Sequence, residues 1–125
     1  MRRIRKIDTT PERVVRRLVH GLGFRFRLHR RDLPGTPDLV LPRLRSAILV
    51  HGCFWHQHAG CRLARLPKSR PEYWLPKLKR NQERDVAARS ELQAKGWEIL
   101  VVWECETEDA AGLRQRLAAF LRPMH

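Results

Sequence analysis

One short stretch combines three histidines, two cysteines and two adjacent aromatic side chains. It reads His51-Gly-Cys-Phe-Trp-His-Gln-His-Ala-Gly-Cys61. Within it, Cys53, His58 and Cys61 have the spacing of a local metal half-site, and thiolate plus imidazole ligands favour Zn²⁺ over Mg²⁺ or Ca²⁺. Cys105, the only other cysteine, follows an apolar, strand-like run that could place it beside this loop. We therefore expect a structural zinc site of the Cys3His type.

The alternative interpretation is three reduced cysteines of an intracellular protein, with histidines that happen to lie near them. A disulfide is disfavoured because the cysteine count is odd and the start Met1–Lys6 is basic rather than a signal peptide. These features indicate a cytoplasmic location.

The charge balance indicates a polyanionic partner. Twenty-six Lys and Arg residues stand against 13 Asp and Glu residues, which leaves a formal net charge of +13. A solvated basic face would explain any single cluster, but four clusters in so short a chain favour nucleic acid. Each neutralised phosphate releases counterions, so affinity should fall steeply with salt. The clusters lie at 2–6, 13–17, 25–31 and 77–84.

The length of 125 residues predicts one domain, residues 1–125, because a chain of this size has room for a single core. No apolar run approaches the roughly 18 residues needed to cross a bilayer. We therefore expect a soluble protein with no membrane association.

The first predicted element that must position these residues is a helix. Thr9 is a hydroxyl N-cap, Pro11 suits the first turn, and Glu12 lies near the positive end of the helix dipole. Glycines at 21 and 23 should end the helix, and alternation of apolar and basic residues over 24–29 predicts a half-exposed strand. The helix is predicted to bury Val14, Val15, Leu18, Val19 and Leu22.

A hairpin is predicted after a turn at 33–37, with strands at 38–41 and 46–51 joined by a short turn. Asp38 opens one strand and His51 closes its neighbour. Because the strands pair antiparallel, an acid and an imidazole should converge at one end of the sheet. That arrangement is typical of a reaction site.

The second half of the chain begins with a metal loop at 52–71. A helix is predicted from Pro71, interrupted or restarted at Pro76 because proline lacks the amide hydrogen, and continuing over 78–95. Together with the first half, the order of elements indicates an α/β fold with a mixed sheet flanked by helices. The remaining predicted elements are a buried strand at 97–103 and an amphipathic helix at 109–121.

Asp38 is also a candidate metal ligand, because a divalent-metal nuclease needs a carboxylate fixed at a strand end to hold Mg²⁺ against the scissile phosphate. The dipeptide Pro37-Asp38 is a weak signal by itself, since an aspartate after proline is commonly a turn residue. The presence of other acidic and histidine candidates favours the functional interpretation. These candidates are Glu12, His51, His56 and Asp85.

In these residues and in the motifs around them, the chain closely resembles the very short patch repair (Vsr) endonucleases, the mismatch-nicking branch of the PD-(D/E)xK-like nucleases. The resemblance covers nearly the whole chain and implies a restriction-endonuclease-like fold. Its most specific strings are His51-Gly-Cys-Phe-Trp-His56 and Val102-Trp-Glu-Cys105, supported by Leu33-Pro-Gly-Thr-Pro-Asp38, Glu72-Tyr-Trp74 and Glu83-Arg-Asp85.

The resemblance implies a Mg²⁺-dependent nick 5′ to the thymine of a T:G mismatch, the product of deaminating 5-methylcytosine. Asp38 would bind Mg²⁺ with the main-chain carbonyl of Val50, and His56 would be the general acid/base. These roles suit a carboxylate facing a hard cation and an imidazole that titrates near neutral pH. The family's remaining acid and histidine positions fall on His51, Glu12 and Asp85.

The resemblance also assigns the zinc ligands, and it separates His56 from them. Phe54, Trp55 and Trp74 would form a wedge that unstacks the duplex beside the mismatch, where unstacking costs least. Trp97 and Trp103 are assigned to the core. The zinc ligands would be Cys53, His58, Cys61 and Cys105, and Met1 and Ile4 are further candidates for DNA contact in a short N-terminal arm.

The implied partner is double-stranded DNA with a T:G mismatch, bound by a monomer, and coupling to MutL is a family-level expectation. Two other classes remain open. A nuclease of the same fold without mismatch specificity would not need the wedge aromatics. A non-catalytic, zinc-stabilised DNA-binding module would not need Asp38 and His56 together.

Overall fold

A computed structural model describes residues 9–121, so the candidate contacts of Met1 and Ile4 lie outside the described residues. A four-stranded mixed sheet, in the order β1-β2-β3-β4, is flanked by three helices, which confirms the predicted α/β class. The sheet is antiparallel except for the parallel pair of β3 and β4. The bounds are α1 Thr10–Gly21, β1 Arg27–Leu28, β2 Leu39–Leu41, β3 Ser46–His51, α2 Pro71–Ala94, β4 Glu98–Trp103 and α3 Ala110–Phe120.

Helix α1 begins as its sequence predicts. The Thr9 hydroxyl accepts a hydrogen bond from the Glu12 amide at 3.4 Å, which satisfies one of the unpaired donors of the first turn. Val15 and Val19 are fully buried. The other apolar residues predicted on this face pack against the same core while partly exposed: Val14, Leu18 and Leu22.

The sheet is covered on both faces. On one face, β2, β3 and β4 bury side chains against α1 and α3; the cluster includes Leu39, Leu41, Ile48, Leu113 and Leu117. On the other face, a smaller cluster lies under α2 and consists of Val40, Ala47, Leu92 and Trp97. Each fully buried Val or Leu contributes roughly 1.5–3 kcal/mol. The sheet is therefore held firmly enough to position the residues at its ends.

Strand β1 is shorter than the predicted strand at 24–29. Only Arg27 and Leu28 pair with β2, and Leu28 is 41% exposed. His29 has a left-handed backbone (φ +47), which ends the extended pairing. Its amide donates to the Asp38 carbonyl at 3.2 Å, so the chain leaves the sheet beside the start of β2.

Helix α2 is continuous through Pro76, so the predicted interruption is wrong. Pro76 removes one hydrogen bond near the start of the helix, to the carbonyl of Glu72. Both residues are exposed, so water can satisfy that carbonyl. Neither α2 nor any other helix within residues 9–121 is long and apolar enough to cross a membrane.

Candidate active site and metal centre

A cavity of about 250 Å³ opens at the end of the sheet where β2 begins and β3 ends. It collects side chains from the α1–β2 connection, β3, the loop after β3 and α2. The lining residues that could do chemistry are His29, Asp38, His51, His56 and Asp85, with the backbone of Val50. All of these except His29 were predicted from the sequence.

The turn at 33–37 packs against α2 beside the cavity that Asp38 and Asp85 both line. Gly35 has a positive φ (+74), and a β-carbon there would lie 2.8 Å from the β-carbon of Ala88. Only glycine permits both this backbone and this approach. Because Asp85 lies one helical turn before Ala88, the same packing brings α2 to the cavity.

Asp38 is fixed by the backbone of β3. Its Oδ2 accepts a hydrogen bond from the Val50 amide at 2.6 Å. The N–H and C=O of one strand residue point the same way, so the Val50 carbonyl faces the same side. Burial raises the pKa of Asp38 to about 7; the Val50 hydrogen bond opposes this rise, and the charge of nearby Glu12 adds to it.

Glu12 and His29 complete this end of the cavity. Glu12 is only 2% exposed, and its Oε2 lies 3.0 Å from Nε2 of His29 and 3.1 Å from a guanidinium nitrogen of Arg16. One ligand atom each of Glu12, His29 and Asp38 lies within 4.8 Å of the others. Two carboxylates this close repel unless a cation or a proton separates them, so the donor set fits a divalent metal ion.

His56 and His51 form a second pair in the cavity. His56 Nδ1 hydrogen-bonds to the carboxylate of Asp85, and its ring stacks on His51 with centroids 3.9 Å apart and planes 6° apart. Burial and, to a smaller extent, the charge of His56 lower the pKa of His51 to about 4. His51 is therefore neutral near pH 7, and His56, oriented by a carboxylate, is the imidazole better suited to move protons.

The four predicted zinc ligands converge. Cys53, His58, Cys61 and Cys105 each place a ligand atom within 4.8 Å of the others, and none of the cysteines forms a disulfide. Nδ1 of His58 lies 3.7 Å from the sulfur of Cys53 and 3.5 Å from that of Cys105. A tetrahedral Zn²⁺ with ordinary bond lengths separates sulfur from nitrogen by about 3.6 Å. The donor set and its geometry fit zinc.

Backbone hydrogen bonds hold this cluster to the ends of β3 and β4. The Cys53 amide donates to a carboxylate oxygen of Glu104 at 3.2 Å, and the Cys105 amide donates to the Cys53 sulfur at 3.4 Å. Burial raises the pKa of the Cys53 thiol to about 12. A thiolate at this position therefore depends on a neighbouring cation.

Trp103 lies between the zinc cluster and the histidine pair. It was predicted in the core, but it is only partly buried. Its ring stacks on His58 at 4.2 Å, with planes 9° apart, and contacts His51 edge-on at 5.2 Å. Its position at the end of β4, paired with His51 on β3, explains both contacts. Trp97, the other tryptophan assigned to the core, is buried.

Phe54, Trp55 and Trp74 form one aromatic cluster, in which the loop after β3 meets the first turn of α2. Their ring centroids are 5.2 to 5.8 Å apart. All three are partly exposed, so they are not core residues. Lys77 lies 5.4 Å above the Trp55 ring, and the Asn81 side chain donates to the Trp55 carbonyl at 3.4 Å.

Comparison with known proteins identifies the family. Residues 1–62 match the family described as DNA mismatch endonuclease Vsr. The type II nicking enzyme V.XorIIP of Xanthomonas oryzae pv. oryzae is 52% identical over 123 residues, covering 98% of this chain and 90% of its own. The type II nicking enzyme V.NmeAIP of Neisseria meningitidis is 38% identical over 122 residues, covering 98% of this chain and 86% of its own. The DNA mismatch endonuclease Vsr of Escherichia coli is 46% identical over 105 residues, covering 84% of this chain and 67% of its own.

These relatives define the class, which is that of strand-nicking and mismatch DNA endonucleases. The chain belongs to the Vsr family within it. The resemblance stated from the motifs is thereby confirmed.

Proposed function

We propose that this protein nicks one DNA strand 5′ to the thymine of a T:G mismatch and so starts very short patch repair of deaminated 5-methylcytosine. The observation that carries the proposal is the convergence of Asp38, the Val50 backbone and the His56–Asp85 pair on one cavity. Membership of the Vsr family supports it.

Asp38 and the Val50 carbonyl would hold Mg²⁺, with Glu12 beside them. When bound, the ion would neutralise charge on the scissile phosphate and lower the pKa of a bound water. The buried carboxyl of Asp38 suits this role, because ionising it next to Glu12 is unfavourable without a cation.

His56 would be the general acid/base. The Asp85 carboxylate accepts a hydrogen bond from Nδ1 of His56, which leaves Nε2 of His56 to exchange a proton with the attacking water or the leaving oxygen. The low pKa of His51 keeps its ring from competing for that proton.

The zinc ion proposed at Cys53, His58, Cys61 and Cys105 would be structural, since all four ligand positions are supplied by the protein. It would hold the loop that carries His56, Phe54 and Trp55. These aromatic side chains, with Trp74, would insert beside the mismatch.

The proposed partner is double-stranded DNA, in keeping with the net charge of +13. We further propose that the chain forms one domain and acts in the cytoplasm. It would act as a monomer, because one nick requires one site. MutL is proposed as a partner from the family resemblance.

Strand-resolved cleavage tests this function. A labelled duplex with one T:G mismatch is incubated with the protein in Mg²⁺ at low salt, beside matched T:A and C:G duplexes. A nick confined to the thymine strand of the mismatched duplex is expected. Equal cutting of all duplexes would instead indicate a nuclease without mismatch specificity, and intact DNA despite tight binding would indicate a DNA-binding module.

Replacing Asp85 by asparagine is expected to lower the single-turnover nicking rate about 100-fold with little change in DNA affinity. Asparagine is nearly isosteric, but it cannot stabilise a protonated His56 by charge, and general acid–base catalysis contributes roughly 10²–10⁴-fold. Glu83→Gln, at an exposed position of the same helix, is the matched control. Similar losses in both variants would assign the effect to altered charge on α2 rather than to His56.

Replacing Trp55 by alanine is expected to reduce nicking of the T:G duplex by about 10- to 100-fold, since stacking on a base is worth roughly 1–3 kcal/mol. The preference for T:G over T:A should narrow as well. Leu66→Ala removes an exposed apolar side chain from the same loop and should leave both quantities unchanged. If the Trp55→Ala protein kept the wild-type rate and preference, Trp55 would not be part of the wedge.

A further inference from the structure

We propose that His29 is a ligand of the catalytic metal, and that Glu12, His29 and Asp38 form a mixed nitrogen and oxygen site that prefers Mn²⁺ to Mg²⁺. The inference rests on the proposed role of Asp38 as a metal ligand and deepens it by naming a further ligand and the resulting metal preference.

The spacing of the three side chains supports joint coordination. Their ligand atoms lie within 4.8 Å of one another, and Oε2 of Glu12 lies 3.0 Å from Nε2 of His29. Adjacent ligands of an octahedral ion, bound at about 2.1 Å, are about 3.0 Å apart. The same separation suits a hydrogen bond, so the atoms could bind a cation without a large rearrangement.

The backbone places His29 at this site independently of its side chain. The His29 amide donates to the carbonyl of Asp38 at 3.2 Å, which fixes the two residues relative to each other. The imidazole lines the same cavity as Asp38 and Val50, with a side chain 18% exposed. An ion bound by Asp38 in this cavity would therefore lie within reach of Nε2.

The chemistry of the donor set determines which ion it prefers. Two carboxylates with a neutral imidazole match the charge of a divalent cation. The guanidinium of Arg16 lies 3.1 Å from Glu12 and supports the ionised form of that carboxylate. Mg²⁺ prefers oxygen ligands and retains its waters. Imidazole nitrogen instead favours the first-row transition metals, for which affinity exceeds that for Mg²⁺ in sites with mixed donors. His29 should therefore raise the affinity for Mn²⁺ more than that for Mg²⁺.

The test compares His29→Gln with the wild-type full chain, using Mn²⁺ alone as the probe. Glutamine keeps a hydrogen-bonding group near Glu12 and removes the imidazole nitrogen. Electron paramagnetic resonance would give the Mn²⁺ affinity, and its pulsed form would detect a directly bound nitrogen. His20→Gln makes the same substitution at an exposed position near the end of α1 and is the matched control.

We expect a bound-nitrogen signal in the wild type and in His20→Gln, and its loss in His29→Gln. Mn²⁺ affinity should fall about 10-fold in His29→Gln, within the range seen when groups supporting a metal ligand are lost, while Mg²⁺ affinity, measured by competition, should change less than about threefold. A nitrogen signal that persists in His29→Gln, or a wild type that binds no Mn²⁺, would overturn the inference.

The outcome is separable from that of the proposed function. T:G-specific nicking with an unchanged nitrogen signal in His29→Gln would refute only the role of His29. Mn²⁺ binding that survives in Asp38→Asn would instead refute the metal site on which both depend.

Discussion

Replacing Asp38 by asparagine is expected to lower the rate of T:G nicking by about 10³-fold or more while leaving the fold and DNA binding intact. The carboxylate would be the main protein ligand of the catalytic metal, whose charge stabilisation is worth several kcal/mol, and each 1.36 kcal/mol is a factor of ten in rate. Asparagine can still accept the Val50 hydrogen bond. It also removes a carboxyl that burial makes costly to ionise.

Single-turnover nicking, thermal unfolding and DNA binding should be measured together on this variant. Asp32→Asn is the matched control, since Asp32 is exposed and pairs with Arg30 rather than facing the cavity. It should nick within about twofold of the wild type. An Asp38→Asn protein that folds, binds DNA and nicks at the wild-type rate would refute the catalytic assignment.

Loss of zinc is expected to unfold or strongly destabilise the protein. The ligands come from the loop after β3 and from the residue that follows Glu104, so the ion would join two segments about 50 residues apart. Structural zinc contributes roughly 10–16 kcal/mol in small domains, comparable with the whole stability of an ordinary domain. We expect Cys105→Ser to lower the melting temperature by about 15 °C or more, equivalent to at least about 4 kcal/mol.

Zinc content and thermal unfolding by circular dichroism would check this result. Ala59→Ser, an exposed change in the same loop, should retain one equivalent of zinc and the wild-type transition. A chelator should reproduce the destabilisation in the wild type, with recovery on addition of Zn²⁺ but not of Mg²⁺. Full stability in a zinc-free Cys105→Ser protein would show that the cluster does not support the fold.

The predictable parts of this structure depend on local chemistry. The cap at Thr9 and the apolar spacing of α1 depend on near neighbours in the chain, and both are present. The hairpin of β2 and β3 was predictable for the same reason. It placed Asp38 at the same end of the sheet as His51 without any knowledge of the rest of the fold, and both residues line the cavity.

The errors arose where tertiary context determines the outcome. Proline disfavours a helix interior, yet at Pro76 the unpaired carbonyl is exposed near a helix start, so the helix continues. The alternation at 24–29 predicted a longer strand, because it could not reveal that His29 adopts a left-handed backbone and leaves β1.

His29 was missed as a site residue because it follows alternating arginines and looked like one more polar position on an exposed strand face. The signal that could have found it is its position before the turn that leads to Asp38, since the two ends of that turn meet through the His29 amide and the Asp38 carbonyl. Trp103 was misplaced for a related reason. Apolar periodicity predicts that a residue is buried, but not which polar side chains contact it. The parallel pairing of β3 with β4 places Trp103 against His51 and His58.

That parallel pairing also affects the order of folding events. Cys53, His58 and Cys61 are close in sequence, whereas Cys105 joins them only after α2 has crossed the sheet and β4 has docked beside β3. Closing so long a connection is slow compared with forming a local loop. Binding of zinc by all four ligands should therefore be a late step in folding. A newly made chain without zinc should stop folding with its hairpin formed and β4 not yet docked.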